Sequence, residues 1–170
     1  MKNLIKFIKN IWAFRKPLWN FRWWDYTFTL YMMEKSLEIM SDNLETKGNE
    51  VEVPRMKKVE KMRRAIQIIK NFDGIGHIEM AEKEFGELHI KPFEFKDSES
   101  RPGSYEMVDN ETPEEKTHNK NVYDRAREIE EQEWAELWEI FKGQDNTKYD
   151  SKKQDWNDWF DGSGMRGWWD

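Results

Sequence analysis

A chain of 170 residues with ten Trp, no Cys and a net charge of −6 is long enough for one compact domain with a real core and too short for two comparable ones. The missing cysteine excludes disulfides, thiolate zinc sites and cysteine nucleophiles, and the negative charge argues against coating nucleic acid with the whole surface. Charged residues at 36% and a mean hydropathy of −1.04 lean toward disorder, but 15% aromatics lean against it, so the expectation is a patterned core beneath a highly charged surface.

Lys2, Lys6, Lys9, Arg15, Lys16 and Arg22 all precede the first acidic residue, Asp25. Leu4, Ile5, Phe7, Ile8, Ile11, Trp12 and Phe14 are interleaved with them at amphipathic-helix spacing, and Pro17 is expected to stop the helix. A basic helix of this kind can lie in a membrane interface, pack on its own domain or dock on a partner protein. No apolar run approaches the roughly 20 residues that span a bilayer. Lysines break up the N-terminal apolar stretch and no small-residue cleavage site follows, so secretion is not expected.

Asp25 reads as an N-cap, after which Tyr26, Leu30, Met33, Leu37, Met40 and Leu44 recur at alternating spacings of four and three. This helix should end near Lys47-Gly48, with glycine in the left-handed conformation. Pro54 suits the first turn of a second helix in which Val59, Met62, Ile66 and Ile69 repeat the seam. Two such helices with a short connection form an antiparallel hairpin.

Asp73-Gly74-Ile75-Gly76 reads as a turn and His77 to Phe85 as a short helix. Leu88 and Ile90, then Phe93 and Phe95 after Pro92, suggest short extended segments that would allow a small β-hairpin. From Lys96 to about Glu111, a polar stretch with Arg101-Pro102-Gly103-Ser104 reads as an exposed, mobile loop.

Thr112-Pro113-Glu114-Glu115 forms a capping box that opens a long third helix. Its stripe of Val122, Ala126, Ile129, Leu137, Ile140 and Phe141 is broadened by Trp134 and Trp138, and Gly143 ends it. Trp156, Trp159 and Phe160 then share one side of a helical turn before the terminal Trp168-Trp169-Asp170. So much aromatic surface should be docked, either on this chain or on something else.

These elements predict a mainly α fold: a helical hairpin and a long third helix in a small bundle, with room for a short β-hairpin and a mobile central loop. In domain terms they divide into a basic aromatic segment (1–24), a helical domain (25–143) with its loop near 96–111, and a Trp-rich tail (144–170).

Trp24-Asp25-Tyr26 leading into a heptad-like helix, the second helix with Val59-Glu60-Lys61-Met62-Arg63-Arg64-Ala65-Ile66, and the terminal Gly167-Trp168-Trp169-Asp170 resemble small uncharacterised proteins of tailed bacteriophages. The resemblance covers about the first 72 residues and the last few. It implies a viral accessory or structural origin, in the host cytoplasm or the virion, and assigns no catalytic residue.

The residues offer little chemistry. His77, Glu79 and His89 make the best metal constellation, but its spacing does not demand convergence, and no metal ligand or cofactor is assigned. Asp73-Gly74-Ile75-Gly76 lacks the third glycine of a dinucleotide fingerprint and the Lys-Ser/Thr of a P-loop. The acidic run from Glu128 to Glu139 reads as a solvated helix face or as the counterpart of a basic face, in the same chain or a neighbouring copy.

The leading expectation is therefore a non-enzymatic protein-binding module. Its candidate interface residues are Trp12, Trp19, Trp23, Trp24, Trp168 and Trp169, and its partner a host or virion protein or a second copy. The same tryptophans could instead close the core by joining the ends of the chain. The alternative is a nucleic-acid-binding or membrane-peripheral protein, using the basic N-terminal segment and a candidate anion-contact face of Arg55, Lys57, Lys58, Lys61, Arg63 and Arg64.

Overall fold

Asp25 fixes where the first core helix begins. Its backbone is extended, and its carboxylate accepts the Thr27 N–H at 2.9 Å and the Thr27 hydroxyl at 2.7 Å, satisfying donors that the first helical turn would otherwise leave open. In the computed structural model, which describes residues 2–168, this helix is the second of six: α1 (Lys2–Asn20), α2 (Tyr26–Lys47), α3 (Glu52–Asn71), α4 (Gly76–Phe85), α5 (Pro113–Lys142) and α6 (Trp156–Trp159). Strands β1 (Glu94–Asp97) and β2 (Tyr105–Val108) form an antiparallel pair. The protein is mainly α, a small bundle with a short β-hairpin.

The chain divides into two compact units, residues 1–73 with 132–170, and residues 74–131. In the first, α2 and α3 pack as the expected hairpin. Leu30, Leu37 and Leu44 meet Val59, Met62, Ile66 and Ile69 in a core completed by Leu137, Ile140 and Trp168. In the second, Ala81 of α4 packs with Val122, Ala126 and Ile129 of α5.

The α5 stripe thus lines two cores instead of the one its periodicity suggested. The break falls at Glu133, buried where the repeat calls for an apolar residue, with its carboxylate accepting from Asn71 Nδ2 at 2.9 and 3.0 Å. A buried carboxylate is tolerated only when bonded in this way.

Three local expectations are corrected. Pro17 does not stop α1, which continues to Asn20. Ala13, Phe14 and Pro17 are its half-buried residues, so the ring that removes one backbone donor also supplies packing where α1 meets α2. Gly48 ends α2 without turning left-handed: its φ is −64° and its ψ 137°. A Cβ there would lie 2.5 Å from the Leu44 carbonyl oxygen, a backbone atom, so close approach, not backbone handedness, selects glycine.

The third correction concerns the stretch near 96–111, which is not loop throughout. Tyr105–Val108 pairs with Glu94–Asp97, Phe95 facing Met107. Arg101-Pro102-Gly103-Ser104 is the turn, closed by Ser104 N–H to the Arg101 carbonyl at 3.1 Å with Gly103 at φ +82°. Leu88 and Ile90 stay outside the hairpin because Asn119 of α5 holds the backbone between them, accepting the His89 N–H at 2.9 Å and donating to its carbonyl at 3.1 Å.

The capping box at α5 forms as its residues dictate, with the Thr112 hydroxyl accepting from Glu115 N–H and Glu115 accepting from Thr112 N–H at 2.7 Å.

Candidate docking site

The six cations from Arg55 to Arg64 all lie on α3, and each has a partner in its own unit. Arg55 Nη1 donates to the carbonyls of Leu44, Glu45 and Gly48, capping the C-terminus of α2 where the helix dipole favours a cation. Lys57 Nζ donates to the carbonyls of Asn157 and Phe160 at 2.5 and 2.8 Å. Lys58 is buried and clasps both oxygens of Glu50 at 2.5 and 2.7 Å. Lys61 pairs with Asp161 at 3.3 Å, and Arg63 with Glu45.

Arg64 forms a two-pronged pair with Glu136, Nε to one oxygen at 2.7 Å and Nη2 to the other at 2.6 Å. Hydrogen bonding to Glu136 and the nearby carboxylates of Glu136 and Glu133 push the guanidinium pKa up and, reciprocally, hold the Glu136 carboxyl below its ordinary value. This face is organised to hold the chain's own helix ends, acidic residues and C-terminal segment.

That C-terminal segment is shaped by close approaches. Gly143 ends α5 at φ +76°, and a Cβ on it would come within 2.5 Å of Gly164 Cα. Trp168 is buried in the first core, its ring edge-on to Phe141 at 5.9 Å and its Nε1 donating to the Gly162 carbonyl at 2.8 Å. Tyr149, Trp156, Trp159 and Phe160 gather into a ring cluster, with Trp156 stacked on Phe160 at 5.3 Å and an interplanar angle of 10°. Tyr149, which sequence reading passed over, carries no periodic signal because it follows a single 3₁₀ turn.

An open groove of about 630 Å³ beside this segment includes Lys58, Lys142, Trp156 and Arg166 in its lining. Lys58 and Lys142 are paired with Glu50 and Glu139, so among the described residues Arg166 is the groove's cation without a partner.

The candidate interface tryptophans separate sharply. Trp168 is 3% exposed, whereas Trp12, Trp19, Trp23 and Trp24 are open to solvent, Trp19 at 87% and Trp23 at 82%. Trp169 lies outside the described residues. The exposed set belongs to α1 and the turn after it, and α1 buries none of its described residues. Leu18 and Phe21, which the sequence reading did not single out, are exposed beside them. A second exposed apolar face lies on the β-hairpin, where Phe93, Phe95, Tyr105 and Met107 follow the two-residue alternation.

Of the histidine constellation, His77 is buried on α4 and His89 lies against His118 at 4.9 Å between ring centroids. His118 Nε2 donates to the Glu87 carbonyl at 2.9 Å. Among the described residues no three histidine or acidic side chains converge as metal ligands.

The fold and site define a small, mainly α protein with an aromatic N-terminal arm. Comparison with protein-family models, curated proteins and solved structures finds no match to this chain.

Proposed function

We propose that this is a non-enzymatic binding protein whose docking element is α1 together with the turn from Phe21 to Trp24. One observation carries the reading: a 19-residue helix packs against the body without burying any residue, while its isoleucines and tryptophans stay in water. Large contiguous apolar surface of this kind marks an interaction site, since exposure without a partner favours aggregation. Trp side chains are the strongest anchors available for one, because each buries a large rigid area at low entropic cost.

The resemblance of the Trp24-Asp25-Tyr26 helix and the terminal Trp-Trp-Asp to tailed-phage proteins supports a viral accessory or assembly role within this proposal. Nucleic-acid binding through α3 has less to recommend it, because a phosphate would have to displace the internal partners of Arg55, Lys57, Lys58, Lys61, Arg63 and Arg64.

The test compares the full chain with its Trp19→Ala/Trp23→Ala variant in self-association, vesicle binding and capture of cellular partners. The expected result is unchanged thermal stability with association lost. Equal behaviour of the two chains in every association assay would refute the reading.

A further inference from the structure

At 3.6 residues per turn, Leu18, Ile11, Ile8, Trp19, Trp12 and Ile5 fall within an arc of roughly 140° on α1, and all six are exposed. Lys16, Lys9 and Lys2 continue round the helix from the Ile5 edge, with Lys6 beyond them. Among the described residues, none of these four lysines takes part in a hydrogen bond or ion pair. Arg15 is the charged group inside the arc, and it folds back, its guanidinium 4.2 Å over the Trp12 ring and donating to the Trp12 carbonyl. Ala13, Phe14 and Pro17, the half-buried residues, lie opposite the apolar arc; Lys6 falls between Ala13 and Pro17, and Lys16 borders a groove shared with Glu34 and Glu38 of α2, so Lys2 and Lys9 are the lysines set apart from that packing.

Resting on the docking reading above, the geometry points to an anionic lipid surface as the partner of α1, with the helix lying in the plane of the headgroups. The apolar arc would sink into the headgroup–acyl boundary while the lysines beside it meet lipid phosphates. Trp23 and Trp24, exposed at the end of the arm with ring centroids 5.6 Å apart, suit the same boundary, where an amphipathic indole is favoured. Among the described residues no helix is long and apolar enough to cross a membrane, in keeping with α1 lying along the surface.

Charge favours the lipid over a second copy as the occupant. Of the acidic run on α5, Glu128 is engaged by Arg125, Glu133 by Asn71, Glu136 by Arg64 and Glu139 by Lys142, which leaves Glu130 and Glu131 of that run to face the lysines of a neighbour, too few to match them. A nucleic acid would satisfy the lysines but leave an isoleucine and leucine face with nothing to bury it.

The experiment is flotation of the full chain with vesicles of phosphatidylcholine alone and of phosphatidylcholine mixed with phosphatidylglycerol. Binding to the anionic vesicles is expected to be at least about tenfold tighter, to weaken with salt and to shift tryptophan emission to the blue. The Lys2→Glu/Lys9→Glu variant should lose at least about tenfold in that binding at unchanged melting temperature.

Absence of binding to anionic vesicles at low salt would overturn the inference, as would equal binding to both vesicle types that the lysine reversals leave intact. Tryptophan-dependent self-association, duplex DNA binding or capture of a protein, without vesicle binding, would overturn the lipid assignment and leave the docking reading standing. Identical behaviour of the Trp19→Ala/Trp23→Ala chain and the unaltered chain in all these assays would bring down both.

Discussion

Lys57 Nζ donates to the carbonyl oxygen of Phe160 at 2.8 Å, joining residues 103 positions apart. The adjacent Lys61–Asp161 pair and the placement of Gly162 against the Lys57 backbone make this a seam, along which α3 holds the C-terminal segment. Trp168 enters the core a few residues beyond it. A lysine that looks free for phosphate in the sequence therefore works as a structural donor.

Trp168 and Trp23 should respond oppositely to truncation. Trp168→Ala removes a buried ring and orphans the Gly162 carbonyl, a loss of about 3–5 kcal/mol for an aromatic deleted from a core. Trp23→Ala, at an exposed position, should stay within about 0.5 kcal/mol of the unaltered chain. Urea melts of the two variants check this, and similar midpoints would contradict the burial assigned here.

Gly162→Ala should be among the most damaging single substitutions in the C-terminal segment. The residue sits at φ +90°, and a Cβ would stand 2.2 Å from the Lys57 carbonyl oxygen, a backbone atom that cannot swing aside. The expected outcome is a detached segment with Trp168 accessible to iodide quenching at a temperature where the body remains helical by circular dichroism. Gly103→Ala, in the exposed β-turn where a Cβ meets nothing within 4 Å, isolates the cost of positive φ alone and should be milder.

Lys58 and Glu50 form the most buried ion pair of α3, with side chains 10% and 27% exposed. Glu50→Gln leaves the ammonium without its charge partner and should cost about 3 kcal/mol, since breaking one side of a buried pair strands the other. Lys58→Met should cost less than Glu50→Gln, because it removes the buried charge itself while keeping the aliphatic stem and leaves only the more accessible Glu50. The order of the two melting temperatures is the check.

Glu115 gives a pH signature. The Lys91 ammonium bonded to it, and then the Thr112 N–H, hold its carboxyl down at about 2 from an ordinary 4.5. A depressed carboxylate stabilises the folded state fully above its unfolded value, and that contribution is lost as the pH falls from 4.5 through about 2. Carbon-detected NMR titration of the Glu115 carboxyl should show a midpoint well below the ordinary 4.5. Lys91→Met should move it upward, and a midpoint unaffected by that substitution would be inconsistent with the Lys91 bond as the main cause.

Much of the architecture was legible because its causes are local. The Asp25 cap, the Thr112/Glu115 box and the spacings of α2 and α3 are set by hydrogen bonds and contacts within a few residues, so their residue types announce them. Pro17 misled because its packing near α2 supplies what its missing donor removes, and β2 was hidden because four residues are too few to display a period. The division of the α5 stripe at Glu133 was written in the sequence as an acid at an apolar position, but its meaning depended on Asn71, 62 positions away.

The sequence by itself determined the helices, their caps and the segregation of charge that leaves the first 24 residues without an acid, because propensity and periodicity act between near neighbours. Only the tertiary structure decided which tryptophans are core and which face water, and that the cations of α3 are already engaged. Those outcomes depend on which residues the fold brings within hydrogen-bonding distance, from 8 positions apart for Lys58 and Glu50 to 103 for Lys57 and Phe160. Folding sets that proximity; chain order does not.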